Sequence, residues 1–255
     1  MAQNLNPQQQ AALKYIDGPL LVLAGAGSGK TSVITRKIAY LVEECGIPAR
    51  NIAAVTFTNK AAREMKARVS SLLGKSEGKG LTVSTFHNLG LTIIRTEIKT
   101  LGFRPGFSIL DQEDCRKLLK ELLVRHTELD KKLIDTAQST ISNWKNSLLE
   151  PGQAVGASNS TGEQAIAMLY ERYQRALKAY NAVDFDDLIM TPVMLFRQNP
   201  EILEKWKKRI RYLLVDEYQD TNLAQYELVK TLVNEKQALT VVGDDDQSIY
   251  AWRGA

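Results

Sequence analysis

The sequence predicts an α/β protein in which a parallel sheet, helices on both faces, is interrupted by a helical insertion. Three observations lead there. The glycine-rich stretch Ala24-Gly25-Ala26-Gly27-Ser28-Gly29-Lys30-Thr31 stands between an apolar run, Leu20-Leu21-Val22-Leu23, and a helical pattern. Short β-prone runs alternate with helical periodicity near both ends of the chain. Between about Leu89 and Leu188 the periodic segments are helical throughout, with no convincing strand among them. Strands joined by helices pair in parallel, so both ends of the chain build one sheet domain. The expected division is 1–88 and 189–255 for the sheet domain and 89–188 for the insertion.

The elements follow in order. After the glycine-rich loop, Val33, Ile34, Ile38, Leu41 and Val42 recur at helical spacing, and Gly46 with Pro48 supplies the stop. Ile52 to Thr58 is a short β-prone run. From Asn59 to Leu73 the residues Ala62, Met65, Val69 and Leu72 make one apolar face, so a helix follows. Gly74 to Gly80 reads as a mobile connection, and Leu81 to His87 as a third strand. Within the insertion one helix begins at Asp111, with Cys115, Leu118, Leu119, Leu122 and Leu123 apolar; others run around Leu133 to Leu148 and Glu163 to Tyr180. Pro151 to Gly162 is a loop by composition. A helix near Phe185 to Arg197 precedes two further strands, Tyr212 to Asp216 and Ala238 to Gly243.

Composition excludes more than it selects. At 255 residues, 44% hydrophobic and 24% charged, the chain fits one large or two modest globular domains. The 33 basic against 29 acidic residues give +4, which permits a polyanionic partner without arguing for one. Cys45 and Cys115 stand far apart without metal spacing, and with two histidines a His-rich metal site is excluded. The polar start has no signal-peptide pattern and no run approaches the roughly 20 apolar residues of a bilayer span. A reduced, cytoplasmic setting with no membrane is expected.

The chemistry concentrates at strand ends. A loop that bares successive backbone N–H groups, then a lysine and a hydroxyl residue opening a helix, suits a nucleotide's phosphates. It reads as a P-loop, with Ala24 where the strict pattern has glycine. Lys30 supplies charge for the terminal phosphates and Thr31 a ligand for Mg²⁺. Asp216-Glu217 ends Tyr212-Leu213-Leu214-Val215, at the edge where open parallel sheets bind ligands. There Asp216 would take the metal and Glu217 would activate the water that attacks the γ-phosphate. Beyond Gly243, three acidic residues precede Gln247, Tyr250, Trp252 and Arg253. An amide at that position can reach the γ-phosphate, whereas an indole and a guanidinium can stack on bases. A nuclease metal site at Asp244 to Asp246 is the weaker reading, because consecutive carboxylates point in different directions.

Taken together, Leu5-Asn6-Pro7-Gln8-Gln9, the P-loop, Thr56-Phe57-Thr58-Asn59-Lys60-Ala61-Ala62, Thr85-Phe86-His87, Val215-Asp216-Glu217-Tyr218-Gln219-Asp220 and Gln247-Ser248-Ile249-Tyr250-Ala251-Trp252-Arg253-Gly254 resemble the ordered N-terminal motifs of superfamily 1A, UvrD/Rep-type, DNA helicases. Thr140 to Asn146 and Gly243 to Gln247 resemble its Rep-type, replication-associated branch. The resemblance implies a RecA-like P-loop subdomain, 1A, carrying an all-helical subdomain, 1B, as the insertion. It also implies roles. Gln9 would read the adenine edge; Ala26, Gly27, Ser28, Gly29, Lys30 and Thr31 would hold ATP; Thr31 and Asp216 would hold Mg²⁺. Glu217 would be the catalytic base and Gln247 the γ-phosphate sensor. Phe57, His87, Phe185, Tyr250 and Trp252 would line the single-strand path, with Arg253 supporting that wall. Core packing is the rival reading for Phe57 and Phe185, and the preferred one for Phe86. For His87 a structural role at a strand end stands beside DNA contact. Glu204 to Arg211 reads as a solvated helix face, and Ser32 stands where family members carry Arg.

The resemblance implies that the parent protein is an ATP-dependent 3′–5′ translocase acting on single-stranded DNA and on single-strand/duplex junctions in replication or repair. This chain would be its N-terminal portion, completed by a C-terminal RecA-like half that supplies the arginines stabilising transition-state charge. Replication or repair proteins are expected partners. A P-loop small-molecule kinase, a helicase-nuclease subunit and a non-catalytic nucleotide- or single-strand-binding module are the alternatives.

Overall fold

The computed structural model describes residues 5–25, 27, 29–123, 131–236 and 238–244. Its main sheet has five strands in the order β1 (Leu20–Leu23), β7 (Leu239–Gly243), β6 (Tyr212–Val215), β2 (Ile52–Thr56), β3 (Thr82–Thr85), all parallel. Strands from both ends of the chain therefore interleave. β2 and β6 are buried along their whole length, as central strands covered on both faces must be.

Side-chain alternation sends Ala53, Val55, Leu213 and Val215 to one face and Ile52, Ala54, Tyr212 and Leu214 to the other. On the second face lie α2 (Lys30–Glu43) and α3 (Asn59–Glu77), with Ile34, Ile38, Met65 and Val69 in the core. On the first lie α4 (Phe86–Thr96), α9 (Asp187–Gln198), α10 (Pro200–Arg209) and α11 (Leu223–Leu232). Within the stretch expected to be a solvated face, Trp206 is buried, donating its indole N–H to Glu97 Oε1 at 2.9 Å. Leu89 and Ile93 of α4 join the sheet's core. The axis of α4 comes so close to α9 that a Cβ on Gly90 would lie 1.7 Å from the Leu188 carbonyl oxygen. Only glycine permits that approach.

The insertion has its own core, built from α5 (Gln112–Leu123), α6 (Lys131–Asn146), α7 (Pro151–Ala157) and α8 (Thr161–Ala179) around Leu119, Ile141, Ala167 and Tyr170. The helix α1 (Pro7–Lys14) packs on α2 ahead of the sheet.

Four expectations are corrected. The insertion is not all-helical: β4 (Ser108–Leu110) and β5 (Ala182–Asp184) form a parallel pair. Three-residue strands so far apart in sequence offer no periodicity to read. Pro151 to Ala157 is helix rather than loop, because Pro151 opens it after Glu150, which forms a capping box with Gln153. The third strand stops at Thr85, whose hydroxyl caps the Asn88 N–H at 3.2 Å, so that Phe86 and His87 open α4. Finally, the stretch after Gly74 continues α3 to Glu77, with a break at Gly74 itself (φ 73°, ψ 167°).

Candidate functional site

The carboxyl ends of β1, β7 and β6 lie side by side, and the expected nucleotide residues gather there. The Ala24 N–H donates to the Gly243 carbonyl at 3.1 Å, tying the start of the P-loop to the end of β7. Gly27 (φ 73°) and Gly29 (φ 85°) take left-handed dihedrals, and Gly29 is the residue from which α2 starts. Without a side-chain cap, the first N–H groups of α2 face the loop, the arrangement that favours an anion. Lys30 is buried to 9% exposure, with Nζ 3.2 Å from Asp244 Oδ2 and 3.9 Å from Glu217 Oε2. This lysine is thus held by carboxylates. Thr31 is the second residue of α2.

At the end of β6, Asp216 is buried and its N–H continues the ladder to the Val55 carbonyl at 2.9 Å. Burial, and then the charge of Glu217, push its carboxyl up to about 6; the Glu217 N–H, 3.1 Å from Oδ1, and Lys30 oppose them. Glu217 takes φ 54°, a left-handed conformation that costs a non-glycine residue on the order of 1–2 kcal/mol. That conformation turns the chain into the 3₁₀ turn Tyr218–Asp220, so Glu217 lies in the open at the strand tip. Its side chain is 37% exposed. Gln219 then joins two strands, donating Nε2 to Glu217 Oε2 at 2.8 Å while Oε1 accepts the Asp244 N–H at 3.0 Å. A Cβ on Gly243 would sit 2.9 Å from that Oε1, so glycine there admits the bridge.

Gln9 lies in α1, yet it reaches this site. Its Oε1 accepts the Asn6 N–H at 3.0 Å in a capping box, and a Cβ added to Gly29 would lie 3.2 Å from its Nε2. The helix that carries it is anchored by Lys37, a fully buried lysine of α2 whose Nζ donates to the carbonyls of Ala12 and Tyr15.

The ends of β2 and β3 carry the aromatic residues. Phe57 follows β2 and meets Phe86 edge-on at 5.4 Å and 62°, half-buried against the sheet's core. His87 stacks on Phe185 with centroids 3.9 Å apart and planes at 22°. Phe185 is 53% exposed, too open for the core role that rivalled its site role. Thr58 and Thr85 cap α3 and α4, and Asn59 and Asn88 hydrogen-bond at 3.1 Å, so the two helix starts are fixed together beside these rings.

The structure brings Gln9, Gly27, Gly29, Lys30, Thr31, Asp216 and Glu217 to one end of the sheet, and Phe57, His87 and Phe185 to its neighbour. Ala26, Ser28, Gln247, Tyr250, Trp252 and Arg253 lie outside the described residues. Sequence reasoning gave no role to Gln219, Lys37 or the pairing of Asp244 with Lys30. The signal for Gln219 was its place two residues after Glu217; a buried lysine such as Lys37 has no signature on a helix otherwise read by its apolar residues.

Comparison with known proteins gives the family. The UvrD/REP helicase N-terminal domain family matches residues 5–255. The chain is 57% identical to the ATP-dependent DNA helicase Rep of Salmonella typhimurium over 98% of its own length and 37% of that protein's. The Rep protein of Escherichia coli gives the same figures. Against the ATP-dependent DNA helicase PcrA of Bacillus subtilis the identity is 48%, over 100% of this chain and 34% of that one. The chain thus spans little more than a third of the length of these relatives.

Proposed function

The chain belongs to the UvrD/REP helicase N-terminal domain family, and from that premise we propose that it is the ATP-binding, single-strand-contacting portion of an ATP-dependent DNA helicase. One observation carries the reading. Lys30 Nζ stands within 3.9 Å of Glu217 and 3.2 Å of Asp244, at the mouth of a loop whose glycines leave the backbone open to phosphate. These carboxylates balance the lysine's charge, and a γ-phosphate would compete for it with Asp244. Glu217, at the strand tip and held by Gln219, would take a proton from the attacking water.

The donors fit a hard cation. A hydroxyl at Thr31 and a buried carboxylate at Asp216, raised to about 6 by burial and then by the charge of Glu217, are oxygen ligands of the kind Mg²⁺ takes together with substrate phosphates. When bound, the ion supplies neutralising charge for the phosphoryl group. Gln9 is set against Gly29 to read the adenine edge, and Gln247 is assigned the γ-phosphate.

Single-stranded DNA would cross the β2 and β3 ends, stacking on Phe57, the His87–Phe185 pair, Tyr250 and Trp252, with Arg253 behind them. In this reading the insertion follows α4, because Leu89 and Ile93 of α4 pack with the sheet. A second RecA-like half supplies the arginine charge, worth on the order of 10³ to 10⁵ in rate, and the moving surface needed for 3′–5′ translocation. A cytoplasmic role in replication or repair, on single strands and junctions, follows from this assignment, and no described helix is long and apolar enough to cross a membrane.

The test is ATP hydrolysis stimulated by single-stranded DNA, measured for these 255 residues and for the complete protein. Turnover confined to the complete protein is expected. Stimulated turnover by the shorter chain would overturn the requirement for a second half, and no stimulation in either would overturn the helicase reading.

A further inference from the structure

Phe185 is exposed with its ring stacked on His87, and its chain neighbours fix its backbone. Asp184 and Asp187 are buried, and both accept from Lys145, a lysine of α6 with no exposed surface, at 2.6 and 2.8 Å. Tyr173 donates to Asp184 at 3.0 Å and Gln174 to Asp187 at 3.2 Å. The two aspartates also exchange backbone-to-carboxylate bonds, Asp187 N to Asp184 Oδ1 at 2.9 Å and Asp184 N to Asp187 Oδ2 at 3.2 Å. Burial opposes the charge on Lys145, yet the two carboxylates keep its ammonium above the usual range. The remaining neighbour, Asp186, accepts from Asn146 Nδ2 at 3.0 Å. Every carboxylate flanking Phe185 is therefore pinned by adjacent residues of one helix, Lys145 and Asn146.

Asn146 also faces the other way. Its Oδ1 accepts from Asn222 Nδ2 at 2.7 Å. Asn222 caps α11 through the Gln225 N–H and closes the segment that begins with Glu217 and includes the 3₁₀ turn. The backbone from Glu217 to Asn222, followed by the hydrogen bonds Asn222–Asn146 and Asn146–Asp186, thus joins the nucleotide end to the residue beside Phe185, passing through the insertion rather than across the sheet.

We propose that Lys145 and Asn146 are positioning residues that couple the nucleotide state of the Glu217–Asn222 segment to the placement of Phe185, and so to single-strand affinity. The inference rests on the ATP-dependent reading above. A shift of Asn222 moves Asn146; because Lys145 is rigidly engaged next to it, the Asp184–Asp187 turn follows as a unit, and the ring with it. A stack on an unanchored phenylalanine would feel none of this.

The experiment measures the dissociation constant of a labelled oligothymidylate for the complete protein, with and without a non-hydrolysable ATP analogue and Mg²⁺. The two values are expected to differ at least fivefold, the lower end of ordinary site-to-site coupling. Asn146→Ala should bring their ratio within about twofold of one while leaving analogue affinity and unstimulated hydrolysis unchanged, a split that simple loss of structure does not produce. Folded Lys145→Met should collapse the ratio and weaken nucleotide-free DNA binding; if it does not fold, Asn146→Ala alone decides. A wild-type ratio preserved in Asn146→Ala overturns the proposal, as does a wild type that binds both ligands without coupling. Failure of the wild type to bind analogue or oligonucleotide overturns instead the functional reading beneath it.

Discussion

The two halves of the sheet's carboxyl edge are built from different interactions. At β1, β7 and β6 the construction is electrostatic and conformationally forced: Gly27, Gly29 and Glu217 all take positive φ, and Lys30 is held by Asp244 and Glu217. At β2 and β3 it is settled, with threonine caps, an Asn59–Asn88 bond and two aromatic pairs. The difference teaches how one edge can serve two ligands. A site closed by its own opposite charges changes when a charged ligand arrives, whereas a site of capped helix starts and stacked rings is formed in advance and changes only if something moves it.

The largest effect that would break this contrast lies at Glu217. In the complete protein Glu217→Gln should lower the turnover number about 10²- to 10⁴-fold, the usual worth of a positioned general base. The glutamine can still accept from Gln219, so single-strand affinity should stay within about twofold. Steady-state phosphate release and oligonucleotide titration check the two halves separately. An equal loss in both would mean that the ends are not distinct.

Charge on the nucleotide side extends to its support. Burial lowers the Lys37 amine to about 8 from its ordinary 10.5, with Cys45 opposing. Between these values the unfolded chain keeps a proton the folded chain has released, so stability should rise with pH from about 8 to 10.5. At about 1.4 kcal/mol per pKa unit the rise is at most about 3 kcal/mol. Below pH 8 both states are protonated and the cost of burying the ammonium is fully present. From urea unfolding across this range, the stability of wild type minus that of Lys37→Met should rise as pH rises. Tyr40 and Cys45 are both pushed up by burial, and because Cys45 and Lys37 interact, the comparison is made in a Cys45→Ser background.

On the aromatic side the expected loss is smaller and of another kind. Phe185→Ala should weaken single-strand binding by about 1–3 kcal/mol, one stacked base's worth, without altering ATP affinity. Because the lost interaction is stacking, the deficit should persist when salt is raised, whereas loss of a phosphate contact shrinks with salt. Anisotropy titrations at two ionic strengths distinguish the two.

What could be read in advance follows the same division. The P-loop, the Asp216–Glu217 strand end and the alternation of strands with helices are local patterns, and each stands where its spacing placed it. The features that escaped are defined either by partners distant in sequence or by local caps that override composition. β4 and β5 recognise each other only through pairing. Lys145 and Asp184 are unremarkable charges until folding buries them together. Phe86 and His87 are β-prone residues in a β-prone run, and the Thr85 cap overrode that propensity. The helix at Pro151 was hidden by its glycine content, though Glu150 and Gln153 carried a capping signal.

The smallest effect concerns Gln9, where a local structural role and a ligand role share one amide. Its Oε1 closes the capping box on Asn6, and that alone explains a glutamine at this position. Reading adenine asks something more: a glutamine that recognises adenine uses its Nε2 donor on N7, and the closeness of Nε2 to Gly29 puts that donor at the P-loop. Gln9→Glu separates the roles, because glutamate completes a capping box as well as glutamine but cannot donate. The helix should keep its stability while the N7 bond is lost, worth about 1 kcal/mol or roughly fivefold. The added charge repels every nucleotide triphosphate alike, so absolute affinities are uninformative and the ratio of ATP to 7-deaza-ATP is the quantity to measure. Wild type should prefer ATP about fivefold, and Gln9→Glu should show no preference. If the variant keeps the preference, Gln9 is a helix cap and the adenine contact belongs to another residue.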